Sequence, residues 1–166
     1  MKPLLTEPFL KYLSKINTKN KTILEIGSGN STVYFEKIFK KVISLEDNKK
    51  WYDKVSNQIS NKTNLVMFDK NNILKIINNC LGKKPDYILI DNDPKNVSRF
   101  DVANFIHQNK EYHSMIILDN GEKNLDAYSL LKSYYYSLDF VGKRHDNKLS
   151  VTTLFFSEKH YKKVYI

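Results

Sequence analysis

Five times in succession this 166-residue chain runs a short apolar segment into one with helical spacing, and no other feature restricts its fold as much. Strands that alternate with helices build a mostly parallel sheet covered by helices on both faces. The pattern predicts strands at Thr22–Ile26, Val42–Leu45, Asn64–Phe68, Tyr87–Ile90 and Met115–Leu118. The last two are continuous apolar runs, as expected of strands buried on both sides. Helices are expected over Pro8–Ile16, Ser31–Lys40, a segment carrying Trp51, Tyr52, Val55 and Ile59 and capped by Asp47 or Asn48, then Asn72–Leu81, Ser98–Gln108 and Asn124–Ser137. Two more strands, Asp139–Lys143 and Ser150–Ser157, are separated only by Arg144–Lys148. That link is too short for a crossover, so the final pair is antiparallel. No repeat or linker divides the chain. One domain over residues 1–166 is expected, with a leading helical segment (1–20), a core (21–157) and a C-terminal tail (158–166).

The first strand leads into T-I-L-E-I-G-S-G-N-S-T, Thr22 to Thr32. Gly27 and Gly29 make a tight strand-to-helix turn where a ligand can approach the backbone, and Asn30 or Ser31 is placed to cap the helix that follows. A dinucleotide-binding turn reads G-x-G-x-x-G, and here the third glycine position is Thr32. Glu25 stands two residues before the first glycine. A carboxylate there suits a cationic ligand and repels a pyrophosphate.

Composition sets the remaining bounds. Hydrophobic residues are 41% of the chain, no apolar run is long enough for a membrane span, and Met1–Leu5 lacks the apolar core of a signal peptide. The lone cysteine, Cys80, lies in an apolar helical pattern and has no partner for an internal disulfide, so a cytoplasmic protein is expected. The net charge of +9 attracts polyanions in general. Yet Arg99 and Arg144 are the only arginines, the other 25 of 27 basic residues being lysine. Asparagine is abundant as well, and Lys with Asn reads as AT-rich codon bias. Arginine is the usual tool for reading phosphates and bases, so nucleic acid is the less favoured partner.

The glycine turn with its preceding acid, E-x-G-x-G-x-S, resembles motif I of the class I S-adenosylmethionine-dependent methyltransferases. The terminal antiparallel strand extends the resemblance over nearly the whole chain and implies a Rossmann-like three-layer sandwich with sheet order 3-2-1-4-5-7-6. The pieces L-E-I-G-S-G-N-S-T, I-S-L-E-D-x-x-x-W-Y, I-I-L-D-N and T-T-L-F-F are similar to those of a family of small Rossmann-like methyltransferases whose substrate is not fixed by the family.

Ligands of open parallel sheets lie beyond the carboxyl ends of the strands. Acids stand at four of the first five such ends: Glu46, Asp69, Asp91 and Asp119. Each could simply cap a helix. Glu46, 17 residues after Gly29, suits a pair of ribose hydroxyls. The resemblance implies cofactor contacts from Glu25, Gly27, Ser28, Gly29, Asn30, Ser31, Glu46 and Asp69, with Asp69 toward the adenine amino group. It also implies catalytic roles for Asp91 and Asp119. Catechol-type O-methyltransferases carry an Asp after strand four and an Asp-Asn after strand five as Mg²⁺ ligands, which makes Asp91, Asp119 and Asn120 a candidate metal set. The lysine that follows the first of these in that family is displaced here, Pro94 preceding Lys95. The Asn92–Lys95 segment lacks the stacking group a base-flipping amino-methylase needs. Tyr134–Tyr136 read as packing and surface residues on a helix, and His107 and His113 as incidental.

The expected function is methyl transfer to an oxygen or nitrogen of a small-molecule or glycan-type substrate. The alternatives are a catalytically silent module of the same fold, associated with RNA or protein, and an NAD(P)-linked oxidoreductase. No insertion remains to form a lid. Cover for the site has to come from the N-terminal segment, the loops after strands four and five, a second copy in a homo-oligomer or a large substrate, helped by the Gly142–Lys148 turn. That turn is expected on the cofactor edge, with Arg144 or His145 toward the substrate.

Overall fold

A computed structural model describes residues 2–109 and 114–164. Seven strands form one sheet in the order β3-β2-β1-β4-β5-β7-β6: β1 Thr22–Ile26, β2 Lys41–Glu46, β3 Thr63–Met67, β4 Tyr87–Ile90, β5 Met115–Asp119, β6 Tyr136–Lys143 and β7 Leu149–Phe156. The first five are mutually parallel, and β7 is antiparallel to both β5 and β6. The expected order and final antiparallel strand are therefore present. The helices are α1 Glu7–Lys15, α2 Asn30–Ile38, α3 Lys49–Ser56, α4 Ile73–Leu81, α5 Arg99–Gln108, α6 Leu125–Lys132 and a short α7 Tyr161–Val164.

Strand alternation builds two cores. Leu24, Ile26, Ile43, Leu45, Ile88 and Ile90 face one side and pack with Ile77 of α4, Val102 of α5 and Leu131 of α6. Cys80 lies in this core. Ile23, Val42, Tyr87, Leu89 and Ile117 face the other side and pack with Phe9 of α1 and Phe35 of α2. Val164, in the segment after β7, is buried in that second core.

Side-chain caps fix the loop-to-helix corners. Asn48 Oδ1 accepts from the backbone N–H groups of Lys50 (3.0 Å) and Trp51 (3.3 Å), and Ser98 Oγ from those of Phe100 (3.1 Å) and Asp101 (3.3 Å). At α2, by contrast, Gly29 is the N-cap, and neither Asn30 nor Ser31 caps the helix.

The helix expected to reach Ser137 stops at Lys132, and the chain enters β6 at Tyr136. An eight-residue antiparallel ladder to β7, from Tyr136 opposite Phe156 to Lys143 opposite Leu149, overrides the helical spacing. The three tyrosines consequently part ways. Tyr134 stacks on His107, Tyr135 packs against the first core, and Tyr136 lies on the edge strand against Phe156. His113 lies outside the described residues.

Candidate functional site

A period of two places the acids of several strands on one face. Glu25 shares its face with Ile23, Glu46 with Val42 and Ser44, Asp91 with Leu89, and Asp119 with Ile117, all on the side covered by α1 and α2. The glycine turn sits at the centre of this edge, between β1 and α2.

The two glycines do different jobs. Gly27 has φ +98°. A Cβ built on it would stand 2.5 Å from the carbonyl oxygen of Asp91 and 2.8 Å from Cα of Asn92, so this glycine lets the turn press against the end of β4. A Cβ on Gly29 would meet nothing within 4 Å. Gly29 therefore borders open space at the position where the resemblance expects a cofactor.

Glu25 is fully buried beneath the turn. Its Oε2 accepts from Thr32 Oγ1 (2.6 Å) and Ser44 Oγ (2.6 Å), while Oε1 has no hydrogen-bond partner. Loss of solvent raises its pKa to about 7, against the lowering effect of the neighbouring hydroxyls. Thr32 Oγ1 also accepts from the N–H of Gly29 (2.9 Å), which ties the buried acid to the turn. Thr32 thus replaces the third glycine of a dinucleotide turn with a brace on the acid.

Glu46 braces the other side. Its Oε2 accepts from the N–H (2.9 Å) and hydroxyl (2.5 Å) of Ser28, and Oε1 from the N–H groups of Asp47 (3.1 Å) and Asn48 (2.8 Å). Burial raises its pKa despite these bonds. Of the four donors only the Ser28 hydroxyl can rotate away, so that is the bond a ribose hydroxyl would exchange with.

Asp69 lies just past β3 and closes its own loop. Its carboxylate accepts from the N–H of Asn71 (2.7 Å) and from Nδ2 of Asn72 (2.9 Å). It also lines a concavity of about 450 Å³ with Asp47, Phe68 and Asn96. Asn96 Nδ2 donates to Asp47 Oδ2 (2.5 Å) and joins the loops after β2 and β4 across that space.

The carboxyl ends of β4 and β5 carry the most charged cluster, and both arginines of the chain converge on it. Arg99, 7% exposed, donates from Nε to the carbonyl of Asn92 (2.9 Å), from Nη1 to the carbonyl of Asp119 (2.5 Å) and from Nη2 to Asp91 Oδ1 (2.9 Å). Arg144 donates from Nη1 to Asn120 Oδ1 (3.2 Å) and grips Asp146 through Nε (3.1 Å) and Nη2 (2.6 Å). Asp119 is 1% exposed and accepts from Thr152 Oγ1 (2.9 Å) and from Nδ2 of Asn120. Burial, chiefly, and then the charge of Asp91 raise its pKa to about 7. Burial raises Asp91 to about 6, against the pull of Arg99. An ionised Asp91 therefore makes Asp119 harder to ionise, against the pull of both arginines.

These residues do not fit a divalent ion. The candidate oxygens already face donors: Arg99 on Asp91, Thr152 and Asn120 on Asp119, and Arg144 and Ser150 on Asn120. Two guanidinium groups stand where the ion's charge would be. No group of three or more His, Cys, Asp or Glu among the described residues could hold a metal.

The turn after β6 lies on the same edge as Gly27, because β6 runs parallel to β5 and Arg144 reaches Asn120. Thr6 ties the N-terminal segment to this corner. Its N–H donates to Thr152 Oγ1 (3.1 Å) and its hydroxyl to the carbonyl of Phe140 (3.0 Å). A mainly apolar groove of about 360 Å³ opens beside it, with Pro3, Leu10, Tyr34 and His145 in its walls.

Sequence reasoning located the acids and the glycines but missed Arg99, Thr32, Ser44 and Thr152 as their partners. Thr32 and Arg99 had legible signals, one at a glycine position and the other one of two arginines. Ser44 and Thr152 become visible only through strand register.

No family model matches the sequence, and no curated protein matches it. The chain has the fold of the class I S-adenosylmethionine-dependent methyltransferases. It is similar in structure to the O-methyltransferase from Bacillus cereus crystallised with S-adenosylhomocysteine, at 17% identity and a TM-score of 0.71 over 89% of this chain and 79% of that one. It is also similar to an rRNA methylase from Streptococcus thermophilus (11% identity, TM-score 0.65, 94% and 100% covered). A third similar structure is the fibrillarin pre-rRNA processing protein of Methanococcus jannaschii (12%, 0.61, 84% and 68%).

Proposed function

We propose that this protein is an S-adenosylmethionine-dependent methyltransferase acting on an oxygen or nitrogen of a small-molecule or glycan-type substrate. The observation that carries this reading is the open space at Gly29, in a turn braced by Glu25 through Thr32 and by Glu46 through Ser28, in a sheet of this order. The residues present fit the cofactor. The turn from Gly27 to Ser31, with Glu25 ionising beneath it when the cationic group arrives, would hold its methionine end, Glu46 its ribose, and the concavity beside Asp69 its adenine. When bound, it supplies a methyl group on a positively charged sulfur, which a positioned nucleophile can displace without any covalent enzyme intermediate.

The protein's work is then to orient, dehydrate and deprotonate the acceptor. Asp91 keeps 24% of its side chain exposed while Asp119 is sealed, so Asp91 is the member of the pair able to take a proton from an acceptor hydroxyl or amine. Arg99 positions it. The groove between Leu10, Tyr34 and His145 is a space for the acceptor's apolar part, roofed by the segment that Thr6 anchors. His145 stands at its rim, and Arg144 next to it in the chain reaches Asn120 beside the acid pair.

Two measurements probe these assignments. Glu46→Ala should weaken S-adenosylmethionine binding by about 1.5–3 kcal/mol in calorimetry, the range for hydrogen bonds to a charged group. An unchanged dissociation constant would leave Glu46 as an internal brace of the turn only. Titration with Mn²⁺, followed by water-proton relaxation, should show no saturable site on the wild-type protein. A one-to-one site that Asp119→Asn abolishes would reinstate the metal.

A further inference from the structure

The edge of the sheet opposite the candidate site holds a concentration of charge that the methyl-transfer reading does not use. Lys21, Lys40, Lys41, Lys62, Lys83 and Lys84 all lie at or just before the amino ends of β1 to β4. Register brings them side by side. The N–H of Lys40 donates to the carbonyl of Lys21 (2.9 Å), that of Val42 to the carbonyl of Lys62 (3.4 Å), and Thr22 lies opposite Lys41. Adjacent strands are ~4.8 Å apart, so four strand ends carry this row across roughly 14 Å. Five of the six lysines are exposed, Lys21 being half-buried. Among the described residues two acids, Asp86 and Glu36, lie beside the row, and both are engaged. Asp86 pairs with Lys21 (2.8 Å) and accepts from the N–H of Thr22, while Glu36 accepts from the N–H and hydroxyl of Ser60. The acids Glu25, Glu46, Asp69, Asp91 and Asp119 gather at the other edge. Lysines follow the carboxyl ends of the strands too, Lys49, Lys70, Lys95 and Lys123 among them, but there they are interleaved with those acids, whereas among the described residues the row at the amino ends of β1 to β4 outnumbers its acids.

The far end of the same edge, beyond β5, carries aromatic side chains. Because β7 runs antiparallel, its last residue and the first residue of β6 both lie here, and Tyr136 (53% exposed) packs on Phe156 with Tyr161 (47%) edge-on to it. A row of cations with exposed rings farther along the same edge, beyond β5, suits unpaired nucleic acid, the lysines tracking the backbone and the rings meeting base faces. None of the lysines in this row offers the planar fork used for base readout in a duplex groove. Nor does the row carry the apolar side chains an interfacial membrane contact inserts.

We propose that this amino-terminal edge is a docking surface for single-stranded RNA, bound through its phosphates without sequence preference. It lies across the sheet from the glycine turn, so occupancy there leaves the methyl-transfer edge open, and the surface would hold the enzyme on RNA whatever its methyl acceptor.

The test is fluorescence anisotropy with a labelled 20-nucleotide oligouridylate. The wild type should bind in low salt, with log affinity falling against log salt at a slope of roughly −3 for about four neutralised phosphates. Replacing Lys40, Lys41, Lys83 and Lys84 by Gln should weaken binding at least tenfold. A control quartet of exposed lysines away from this edge, Lys50, Lys75, Lys95 and Lys123 to Gln, has the same net charge and should change it less than twofold. Both quartets should keep the wild-type affinity for S-adenosylmethionine, so this proposal and the methyltransferase reading fail separately. Equal weakening by the two quartets, no RNA binding by the wild type, or binding of phosphatidylserine vesicles without RNA binding would overturn it.

Discussion

Gly27→Val should not reach the native fold, whereas Gly29→Ala should fold normally and fail to bind cofactor. The two glycines are two residues apart in one turn, and a motif-level reading treats them alike. The structure separates them. A side chain at Gly27 would drive its Cβ to 2.5 Å from the Asp91 carbonyl, and the φ of +98° is one a β-branched residue does not adopt. Both penalties fall on backbone that cannot move without unzipping β1 from β4, so a loss of about 4 kcal/mol or more is expected, seen as insoluble protein or a collapsed melting temperature. Gly29 has extended backbone, φ 170°, and free space at its Cβ position. Its alanine variant should melt within a degree or two of wild type, while S-adenosylmethionine affinity falls at least tenfold because the methyl group occupies ligand space. A Gly29→Ala protein with wild-type affinity would remove the cofactor from this turn.

Arg99→Met should cost about 3–5 kcal/mol at pH 8, the range for stripping one partner from a buried charge pair, and clearly less at pH 5. The guanidinium joins the Asn92 carbonyl, the Asp119 carbonyl and the Asp91 carboxylate. Without it Asp91 and Asp119 keep only the more distant charge of Arg144 and the Thr152 and Asn120 hydrogen bonds on Asp119, and protonation relieves what remains. The sign follows from the raised carboxyl pKa values, about 6 for Asp91 and about 7 for Asp119 and Glu25. A carboxyl whose pKa is higher in the folded state favours folding while protonated. That contribution is complete below the unfolded carboxylate range near 4 and is lost as pH rises through 6 to 7. Wild-type stability should therefore carry a falling component between pH 4 and 7, and the variant should fall more steeply over a wider range. Urea melts at pH 5 and pH 8 measure both. A wild-type-to-variant difference that does not change with pH would mean Arg99 acts only through its carbonyl bonds.

Most of the architecture was legible because strand–helix alternation and the short final connection leave few topologies. The failure at Ser133–Ser137 is instructive. Those residues continue a helical pattern locally, but Tyr136 and Ser137 pair with Phe156 and Phe155, contacts that one segment read alone cannot contain. At the site, acids at strand ends were visible as residues, and their partners were not. Asp91, Asp119 and Asn120 match a metal set by type and position, and only the side-chain geometry shows Arg99 and Arg144 in the way. The near absence of arginine, read from composition as evidence against anion recognition, turns out to mark this cluster, since both copies are there. The lysine excess likewise takes on shape only once register lines up the strand ends.

The most direct measurement is isothermal titration of the purified wild-type protein with S-adenosylmethionine at pH 7.5, repeated with Gly29→Ala. One-to-one binding in the micromolar range, lost in the variant, is the expected result. An absence of heat at millimolar ligand, with the protein shown folded by its melting transition, would contradict the assignment of this fold and turn to methyl transfer.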